Sequence, residues 1–387
     1  MKVAVIHYWL VAMRGGERVL ERILAMYPDA DLFTHVYDPD VLTPIIRNRT
    51  IKTTFISKLP GARVHYQKYL SLMPLALEEL DLNDYDLVIS CEAGPAKGVI
   101  PRPDSTHVCY CHSPMRYIWD QYHTYKGAAG RAARFMMPTM SHLLRQWDVA
   151  SSARVDSFAA NSEFIAARIE KYYRRDATVV HPPVDVEAFS AAATTDLDDA
   201  FVWIGQLVPY KRPDLAVEAF NRLGLPLVVV GKGGEKKRLQ AMAGPNIKFV
   251  DSLSFKDLCN LCARSRGLIF TSKEDFGITP VEVMAAGRPV LAFGEGGALE
   301  TMAENVTGLF YYEQTPEALV AAVEDLIRWM PHFEPAAAQA HARRFSPEMF
   351  DANFKTFVLE AQSRQRAPGR PLRPDATPLA LAPGTED

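Results

Sequence analysis

Short apolar segments alternate with amphipathic helical segments along almost the whole chain, and this alternation limits the folds that the sequence can adopt. In the first half the apolar segments are "KVAVIHY", "YDLVISCE", "THVCYCH" and "SFAANS". After "VVHPPVDVEAF" the pattern begins again with "FVWIGQL", "PLVVVGKG", "IKFVD", "GLIFTS" and "PVLAFGE". Strands that are apolar on both faces and alternate with helices are typical of parallel sheets covered by helices. The sequence therefore predicts an α/β protein with two doubly wound, Rossmann-like domains.

The restart of the pattern divides the 387-residue chain, which is long enough for two domains of about 150–200 residues. We expect an N-terminal domain over residues 1–190 and a second domain over 191–345. A C-terminal helix capped by Ser346 should cover 346–361, and the Pro-rich segment 362–387 should be disordered. Ligands of open α/β sheets bind at the carboxyl ends of the strands, so the cleft between two facing domains is the expected site.

Composition and charge narrow the possible functions. Hydrophobic residues make up 48% of the chain and charged residues 23%, as in soluble globular proteins. The net charge of −3 gives no electrostatic basis for binding nucleic acid. No apolar run approaches the ~20 residues of a membrane span, and the start of the chain lacks a signal-peptide layout. With five cysteines, an odd number, we expect reduced thiols and a cytoplasmic location.

No metal site is predicted. Cys109 and Cys111 alternate as in a strand, and Cys259 and Cys262 share the apolar face of a predicted helix, so buried packing explains both pairs. The Asp38-Pro39-Asp40 segment matches the D-x-D string of metal-dependent sugar transferases, but it lies in a polar stretch between a strand and a helix. We interpret it as a turn.

The segment "EDFGITPVEVMAAGRPV" places Glu274 and Glu282 on either side of a Phe-Gly turn. Thr279 and Glu282 match a capping box, in which Glu282 would serve only the start of its own helix. Gly287 should end that helix. Capping does not explain Glu274, so the alternative is a ligand that lies between the two carboxylates.

Two further loops carry groups that suit an anion. Gly15 and Gly16 separate the first strand from its helix, where backbone N–H groups can approach a phosphate. Lys211 and Arg212 follow the first strand of the second domain, where two cations would suit a diphosphate leaving group. The dinucleotide fingerprint G-x-G-x-x-G is absent. A tight turn and a solvated loop would explain the same residues without a ligand.

The second half of the chain resembles the retaining GT-B glycosyltransferases of family 4. The resemblance rests on "GQLVPYKRPDLAVEAF", "FVDSLSFKDL", "EDFGITPVEVMAAGRPV", "GGALETM" and "VTGLFYY". The first half matches more loosely through "MRGGERVL", "CHSPMRYIWD" and "ANSEFIAARIEKYY", so that the resemblance covers about residues 1–360. These stretches look most like bacterial mannosyltransferases that build O-antigen or exopolysaccharide.

The resemblance implies a role for each candidate residue. Glu274 would hold hydroxyls of the donor sugar, Glu282 would bind the nucleotide ribose, and Lys211 would bind the diphosphate. His112 would lie near the transferred sugar and the acceptor. The implied catalytic residues are His112, Lys211 and Glu274, and the implied donor-binding residues are Gly15, Gly16, Lys211, Arg212, Glu274, Phe276, Gly277, Ile278 and Glu282. The chain departs from the family at Gln206, where Arg is usual, so Lys211, with Arg212, would have to neutralise the diphosphate.

The function that the resemblance implies is a metal-independent, retaining transfer of a sugar, with GDP-mannose as the expected donor and no cofactor. The acceptor would be a glycan or a lipid-diphosphate-linked glycan of cell-surface polysaccharide synthesis. No carboxylate is obviously placed as a covalent nucleophile, so attack on the face of the departing phosphate is expected. Two alternatives are a nucleotide-sugar epimerase of the same fold and a non-catalytic sugar-nucleotide-binding protein.

One segment of the N-terminal half suggests where the protein works. Residues 127–148 combine basic side chains with apolar ones; the basic residues are Arg131, Arg134 and Arg145, and the apolar residues are Phe135, Met136, Met137, Leu143, Leu144 and Trp147. Such a segment is either a helix packed on its domain or an element that lies in an anionic membrane interface. Together with a lipid-linked acceptor, it predicts reversible binding to the inner face of the cytoplasmic membrane.

Overall fold

Two separate parallel sheets form the scaffold of the computed structural model, which describes residues 1–366 except for the side chains of Ala128, Gln365 and Arg366. The first sheet contains β1 (Val3–His7), β2 (Asp31–Thr34), β3 (Ile51–Thr53), β4 (Leu87–Glu92), β5 (Thr106–Cys111), β6 (Ser157–Ala160) and β7 (Ala177–Val179). The second contains β8 (Phe201–Ile204), β9 (Leu227–Val230), β10 (Ile247–Val250), β11 (Leu268–Phe270), β12 (Val290–Phe293) and β13 (Gly308–Tyr311).

The order of the strands is that of a doubly wound fold in both sheets. It is β3-β2-β1-β4-β5-β6-β7 in the first sheet and β10-β9-β8-β11-β12-β13 in the second, and every pairing is parallel. The winding reverses between β1 and β4 and again between β8 and β11, which is where such sheets open a crevice. The predicted α/β class with two Rossmann-like domains is confirmed.

Helices cover both faces of the sheets. Those up to residue 191 are α1 (Gly15–Met26), α2 (Pro44–Arg47), α3 (Ala62–His65), α4 (Met73–Glu78), α5 (Tyr122–Ala128), α6 (Arg131–Ser152), α7 (Glu163–Tyr173) and α8 (Val186–Ala191). The later ones are α9 (Pro213–Leu223), α10 (Lys236–Met242), α11 (Phe255–Arg264), α12 (Ile278–Ala285), α13 (Ala298–Thr301), α14 (Pro316–Trp329), α15 (Pro335–Ala342) and α16 (Pro347–Arg366). In α1 the fully buried residues Val19, Leu20, Ile23 and Leu24 follow the helical period and pack on the sheet.

Four of the thirteen strands found in residues 1–366 were not predicted from the sequence: β2, β3, β7 and β13. Each has only three or four residues, and three of them lie at an edge of a sheet. Strands this short carry too little periodic signal to be separated from loops.

The chain enters the second domain a few residues before the expected boundary at residue 190. Val184 and the α8 residues Val186 and Phe189 are buried in the core of the second domain, against residues of α11 and α12. Helix α8 therefore belongs to the second domain.

The C-terminal helix returns to the first domain. Phe350 and Phe354 of α16 pack edge-to-face on Tyr110 of β5, and Arg22 of α1 forms an ion pair with Asp351. The helix continues to Arg366 and not to 361, because residues 362–366 are Gln, Ser and Arg, which are compatible with a helix. The rest of the predicted disordered tail, 367–387, lies outside the described residues.

The alternative explanations for the cysteine pairs and the D-x-D string hold. Cys109 and Cys111 are buried in β5, and Cys259 and Cys262 are buried in α11. Asp38 and Asp40 form a turn, in which the Asp40 N–H donates to Asp38 Oδ1 at 3.2 Å, and both carboxylates face Arg63.

A buried ionic cluster anchors the C-terminal half of α6. Asp148 of α6 and Glu92 at the end of β4 both contact the ammonium group of Lys97, and all three side chains are inaccessible to solvent. Trp119 Nε1 and Tyr173 Oη also donate to Asp148, at 2.7 and 2.9 Å. Removing one member of such a cluster leaves an uncompensated buried charge, so it fixes α6 firmly on the sheet.

The N-terminal half of α6 is exposed. Phe135 is 87% and Met136 is 58% accessible, whereas Leu144 is buried and Trp147 Nε1 donates to Glu78. The expected apolar face is thus divided: Leu144 and Trp147 pack on the domain, and Phe135 and Met136 do not. Among the described residues, no helix has both the length and the apolar character needed to cross a bilayer.

Candidate active site

The candidate residues lie at the carboxyl edges of the two sheets, beside the points where the strand order reverses. Lys211 follows β8 and Glu274 follows β11, the two strands that flank the reversal in the second sheet. In the first sheet, Gly15 follows β1 and His112 follows β5. Parallel pairing therefore collects loops that are distant in sequence at one edge, as expected for a ligand site in an open α/β sheet.

Lys211 and Glu274 form an ion pair with 2.8 Å between Nζ and Oε1. Both side chains are largely buried, with exposures of 19% and 14%. The 3-10 turn Pro209–Lys211 presents the lysine, and the Thr271 hydroxyl holds it by donating to the Lys211 carbonyl oxygen at 2.7 Å. The two sequence-predicted residues are thus brought together, and each compensates the charge of the other.

The N-termini of α1 and α12 approach each other from opposite domains. A Cβ atom on Gly15 would lie 2.5 Å from Cδ1 of Ile278, the first residue of α12. A Cβ atom on Gly16 would lie 2.7 Å from Oη of Tyr8. The first-turn N–H groups of a helix lack partners within the helix and carry partial positive charge, so two converging N-termini favour an anion. Larger residues at these two glycines would close this approach.

His112 lies directly beside Gly16. Its Nε2 would be 3.4 Å from a Cβ atom on Gly16, and this buried nitrogen has no hydrogen-bond partner among the described residues. Burial lowers the pKa of His112 to about 3, and its electrostatic interaction with His7 contributes in the same direction. At neutral pH the imidazole is therefore uncharged, which suits a hydrogen bond to a hydroxyl group and not an ion pair with a phosphate.

Glu282 does not cap its helix, so the capping-box interpretation is wrong. Helix α12 begins at Ile278 with Gly277 as its N-cap, in a left-handed conformation with φ of 92° that favours glycine. Glu282 thus lies one turn inside the helix, out of reach of the N-cap N–H. Gly287 ends the helix as predicted, with φ of 75° and its N–H donating to the Met284 carbonyl at 2.9 Å.

The surroundings of the Glu282 carboxylate disfavour its charged form. Burial raises the pKa of Glu282 to about 7, and attraction to Arg18 of α1 offsets this only in part. No side-chain hydrogen bond to this carboxylate is found in residues 1–366. Glu282 is half-buried, and a partly buried carboxylate that no side chain of residues 1–366 satisfies is a candidate for ligand binding.

The other candidates have mainly structural contacts. Arg212 adopts a left-handed conformation before α9 and binds the Asp214 carboxylate at 3.1–3.2 Å, so its charge is already compensated. Phe276 is buried against His181 and Phe345, with ring centroids 5.6 and 5.4 Å away. Gln206, at the position where the family usually has Arg, is exposed.

Sequence reasoning missed three charged residues that join the domains at this site. Asp275, next to Glu274, forms ion pairs with Arg116 and with Arg168 of α7, both from the first domain. Burial lowers the pKa of Arg116, but the carboxylates of Asp275 and Glu274 more than offset this and raise it. These contacts span more than one hundred residues of sequence, so no local pattern could have revealed them.

We expect Glu282→Gln to stabilise the protein at high pH when no nucleotide is added. Because the folded-state pKa of Glu282 lies above its unfolded value, the folded state keeps a proton that the unfolded state releases, and stability falls as pH rises from about 4.5 through 7. The uncharged amide avoids this cost. Chemical denaturation should show a gain of about 1–3 kcal/mol at pH 8 and almost none near pH 4.5. Equal effects at both pH values would contradict the raised pKa.

Comparisons with known proteins agree with this arrangement of two domains. Residues 13–188 match the model for glycosyltransferase family 4, and residues 187–332 match the model for glycosyl transferases group 1. The human alpha-1,3/1,6-mannosyltransferase ALG2 is 27% identical over 254 residues, which cover 54% of this chain and 60% of that protein. A D-inositol 3-phosphate glycosyltransferase of Mycobacteroides abscessus is 29% identical over 216 residues, which cover 50% of this chain and 48% of that protein. The chain thus aligns with about half the length of these relatives.

A solved structure agrees over the whole fold. HepE of Anabaena, determined in complex with UDP, superimposes with a TM-score of 0.70 over 93% of this chain and 100% of its own. The sequence identity is 17%, so this likeness concerns the fold. The two matched regions adjoin at residues 187–188 and together cover most of the described chain, so the protein has a GT-B fold in which a glycosyltransferase family 4 domain is followed by a glycosyl transferases group 1 domain.

Proposed function

We propose that the protein is a retaining glycosyltransferase that transfers mannose from GDP-mannose to a glycan or lipid-diphosphate-linked acceptor in cell-surface polysaccharide synthesis. The observation that carries the proposal is the Lys211–Glu274 pair at the strand reversal between β8 and β11. Two relatives support a sugar transfer: ALG2 is named as a mannosyltransferase, and the mycobacterial protein is named as a glycosyltransferase of an inositol phosphate. The complex of HepE with UDP supports a nucleotide-diphosphate donor.

The mutual pairing of Lys211 and Glu274 suggests how the donor is bound. A diphosphate is a stronger partner for the ammonium group than one carboxylate, so the donor would draw Lys211 away from Glu274. The released carboxylate can then accept two hydroxyl groups of the sugar. Glu282, whose carboxylate accepts no side-chain hydrogen bond within residues 1–366, would accept the ribose hydroxyls, and the N-termini of α1 and α12 would complete the charge stabilisation.

The proposed reaction exchanges one glycosidic bond for another on the same face of the sugar. The bond between the anomeric carbon and the diphosphate oxygen breaks, and a bond from an acceptor hydroxyl oxygen to that carbon forms. The hydroxyl proton passes to the departing phosphate oxygen, so no protein base is required. Lys211 stabilises the charge that develops on the diphosphate, and neutral His112 orients a hydroxyl of the sugar or the acceptor.

The donor is tested by saturation-transfer NMR of the purified protein with GDP-mannose and with UDP-sugars. The proposal expects transfer of saturation to the protons of GDP-mannose. Binding of a UDP-sugar alone would overturn the choice of base and sugar. Conversion of the donor into an epimer, without transfer of its sugar to an acceptor or to water, would replace the proposal with the epimerase.

We expect different defects from the two members of the ion pair. Lys211→Met should lower the affinity for nucleoside diphosphate by about 1.5–3 kcal/mol, since it removes a charge-assisted contact. Glu274→Gln should leave that affinity unchanged or slightly higher, because Lys211 no longer has a competing carboxylate. Turnover of Glu274→Gln should fall by on the order of 10²-fold, as sugar positioning is lost. Calorimetric titration and donor-turnover assays check both changes.

Glu295→Gln is the matched control for these variants. Glu295 forms an exposed ion pair of 2.7 Å with Lys273, the residue before Glu274. Since both side chains are about half exposed, its loss should change neither affinity nor turnover. Full activity of Lys211→Met or Glu274→Gln would remove that residue from the site.

We expect the reaction to proceed without a divalent ion. Lys211 and the two helix N-termini supply the positive charge that a metal provides in other sugar transferases, and Asp38 and Asp40 are engaged with Arg63. Turnover should be the same in excess EDTA and in added Mg²⁺ or Mn²⁺. Complete loss of turnover in EDTA, restored by either cation, would contradict this expectation.

We also propose that the exposed half of α6 binds the anionic inner face of the cytoplasmic membrane. Phe135 and Met136 present apolar side chains to solvent, and Arg131 is exposed four residues earlier. The buried cluster around Asp148 holds the other half of the helix, so the exposed half projects from a fixed base. Arg134 donates to the Gly127 carbonyl of α5 and Arg145 donates to the Ile118 carbonyl, so hydrogen bonds connect both halves of α6 to the preceding residues.

Vesicle sedimentation checks the membrane proposal. Binding should increase with the fraction of anionic phosphatidylglycerol and decrease as salt rises. Replacing Phe135 and Met136 by Ser should reduce binding several-fold, because insertion of apolar side chains is lost. Leu359→Ser, at an exposed apolar position of α16, is the matched control and should have no effect. Equal recovery of the wild type from neutral and anionic vesicles at low salt would contradict the proposal.

A further inference from the structure

The N-terminus of α7, in the first domain, lies against the loop of the second domain that carries Glu274. Ser162 is the N-cap of α7, and its Oγ accepts from the Ile165 N–H at 3.1 Å. The same hydroxyl donates to the carbonyl oxygen of Asp275 at 2.6 Å. One side chain thus links the start of α7 to the residue that follows Glu274.

The Asp275 side chain makes a second connection to the first domain. It is only 7% exposed, and it forms ion pairs with Arg116 and with Arg168 of α7, the latter at 3.3 Å. Arg168 also donates to Ser113 Oγ at 3.0 Å and pairs with Asp120. A buried carboxylate held by two guanidinium groups has a fixed position, because leaving either charge unpaired is costly.

Glu300 holds the same helix from the other side of the loop. Its carboxylate accepts from the backbone N–H groups of Glu163 and Phe164 at 2.7 and 2.9 Å, which are first-turn donors of α7. The N–H of Gly297, just before α13, donates to the Glu274 carbonyl oxygen at 2.9 Å. Asp275 and Glu300, two acidic residues near Glu274, therefore both bind α7. We call the group Ser162, Arg116, Arg168, Asp275 and Glu300 the α7 clasp.

We propose that Asp275 is a positioning residue, through which the α7 clasp lets the first domain fix the donor site of the second. The inference rests on the proposed function of Glu274 and Lys211 as donor-binding residues. Consecutive Cα atoms are 3.8 Å apart, so fixing both the carbonyl oxygen and the carboxylate of Asp275 restricts the backbone of Glu274. It also restricts Gly277 and the start of α12. The donor site, although built from the second domain, is then complete only when α7 is in place.

An ordinary interdomain ion pair would stabilise the protein without affecting the donor loop, so the two roles are separable by experiment. The variants are Asp275→Asn, which keeps the shape of the side chain, and Arg168→Gln, which removes one partner from the other domain. The matched control is Asp351→Asn, which breaks the ion pair between Arg22 and α16 away from the cleft. All are made in the full chain.

Two measurements decide the role. Hydrogen exchange followed by mass spectrometry reports on peptides that cover residues 271–285, and titration with GDP and with UDP reports nucleotide affinity. Asp275→Asn and Arg168→Gln should each accelerate exchange in these peptides at least tenfold and weaken nucleotide binding about tenfold. The double variant should be less affected than the sum of the two single variants, since both changes remove the same Asp275–Arg168 ion pair. Asp351→Asn should change neither quantity.

Loop exchange as slow as in the wild type in both clasp variants would overturn the inference, whether or not nucleotide binds. Faster exchange with unchanged nucleotide affinity would also overturn it, since the clasp would then hold the loop without serving the donor site. A wild-type protein that binds neither GDP nor UDP would refute the proposed function itself. That failure is visible before any variant is made.

Discussion

Parallel pairing of β8 with β11 brings together the two loops on which the candidate site depends. The hydrogen bond from Thr271 to the Lys211 carbonyl joins positions sixty residues apart, and it places the Lys211 ammonium group 2.8 Å from the Glu274 carboxylate. Both loops leave their strands at the carboxyl edge, where the winding of the sheet reverses. In the first sheet, Gly15 and His112 likewise follow the carboxyl ends of their strands, β1 and β5. The position of the candidate site is therefore a consequence of strand order, whereas the side chains of the loops decide what it can bind.

The site also places groups where they cost stability. Within residues 1–366, the half-buried Glu282 carboxylate accepts no side-chain hydrogen bond, and Lys211 and Glu274 form an ion pair with each other. Groups that the fold leaves unsatisfied are common at functional sites, because a ligand supplies the missing partners. A diphosphate for Lys211, sugar hydroxyls for Glu274 and ribose hydroxyls for Glu282 would satisfy all three at once. A nucleotide-sugar donor would thus provide partners for all three side chains, and this is the physical reason for proposing it.

Much of this was accessible from the sequence. The alternation of strands and helices predicted both domains, and the spacing of Glu274, Phe276 and Glu282 identified the loop. What failed was local: a capping box was expected at Thr279, whereas Gly277 starts the helix, because its positive φ lets the chain turn into α12 one residue before Ile278. What was missed depends on tertiary approach. Asp275 differs from an exposed aspartate because Arg116 and helix α7 of the other domain contact it, and a sequence contains no local sign of those contacts.

A structure of the protein with bound GDP would test directly whether a nucleoside diphosphate binds at the strand reversal of the second sheet. We predict that a phosphate oxygen replaces Glu274 as the partner of Lys211 and that both ribose hydroxyls donate to Glu282. We also predict that the Asp275 contacts to Arg116 and Arg168 remain intact. A nucleotide bound elsewhere, with the Lys211–Glu274 pair unbroken and Glu282 still without a partner, would contradict these predictions.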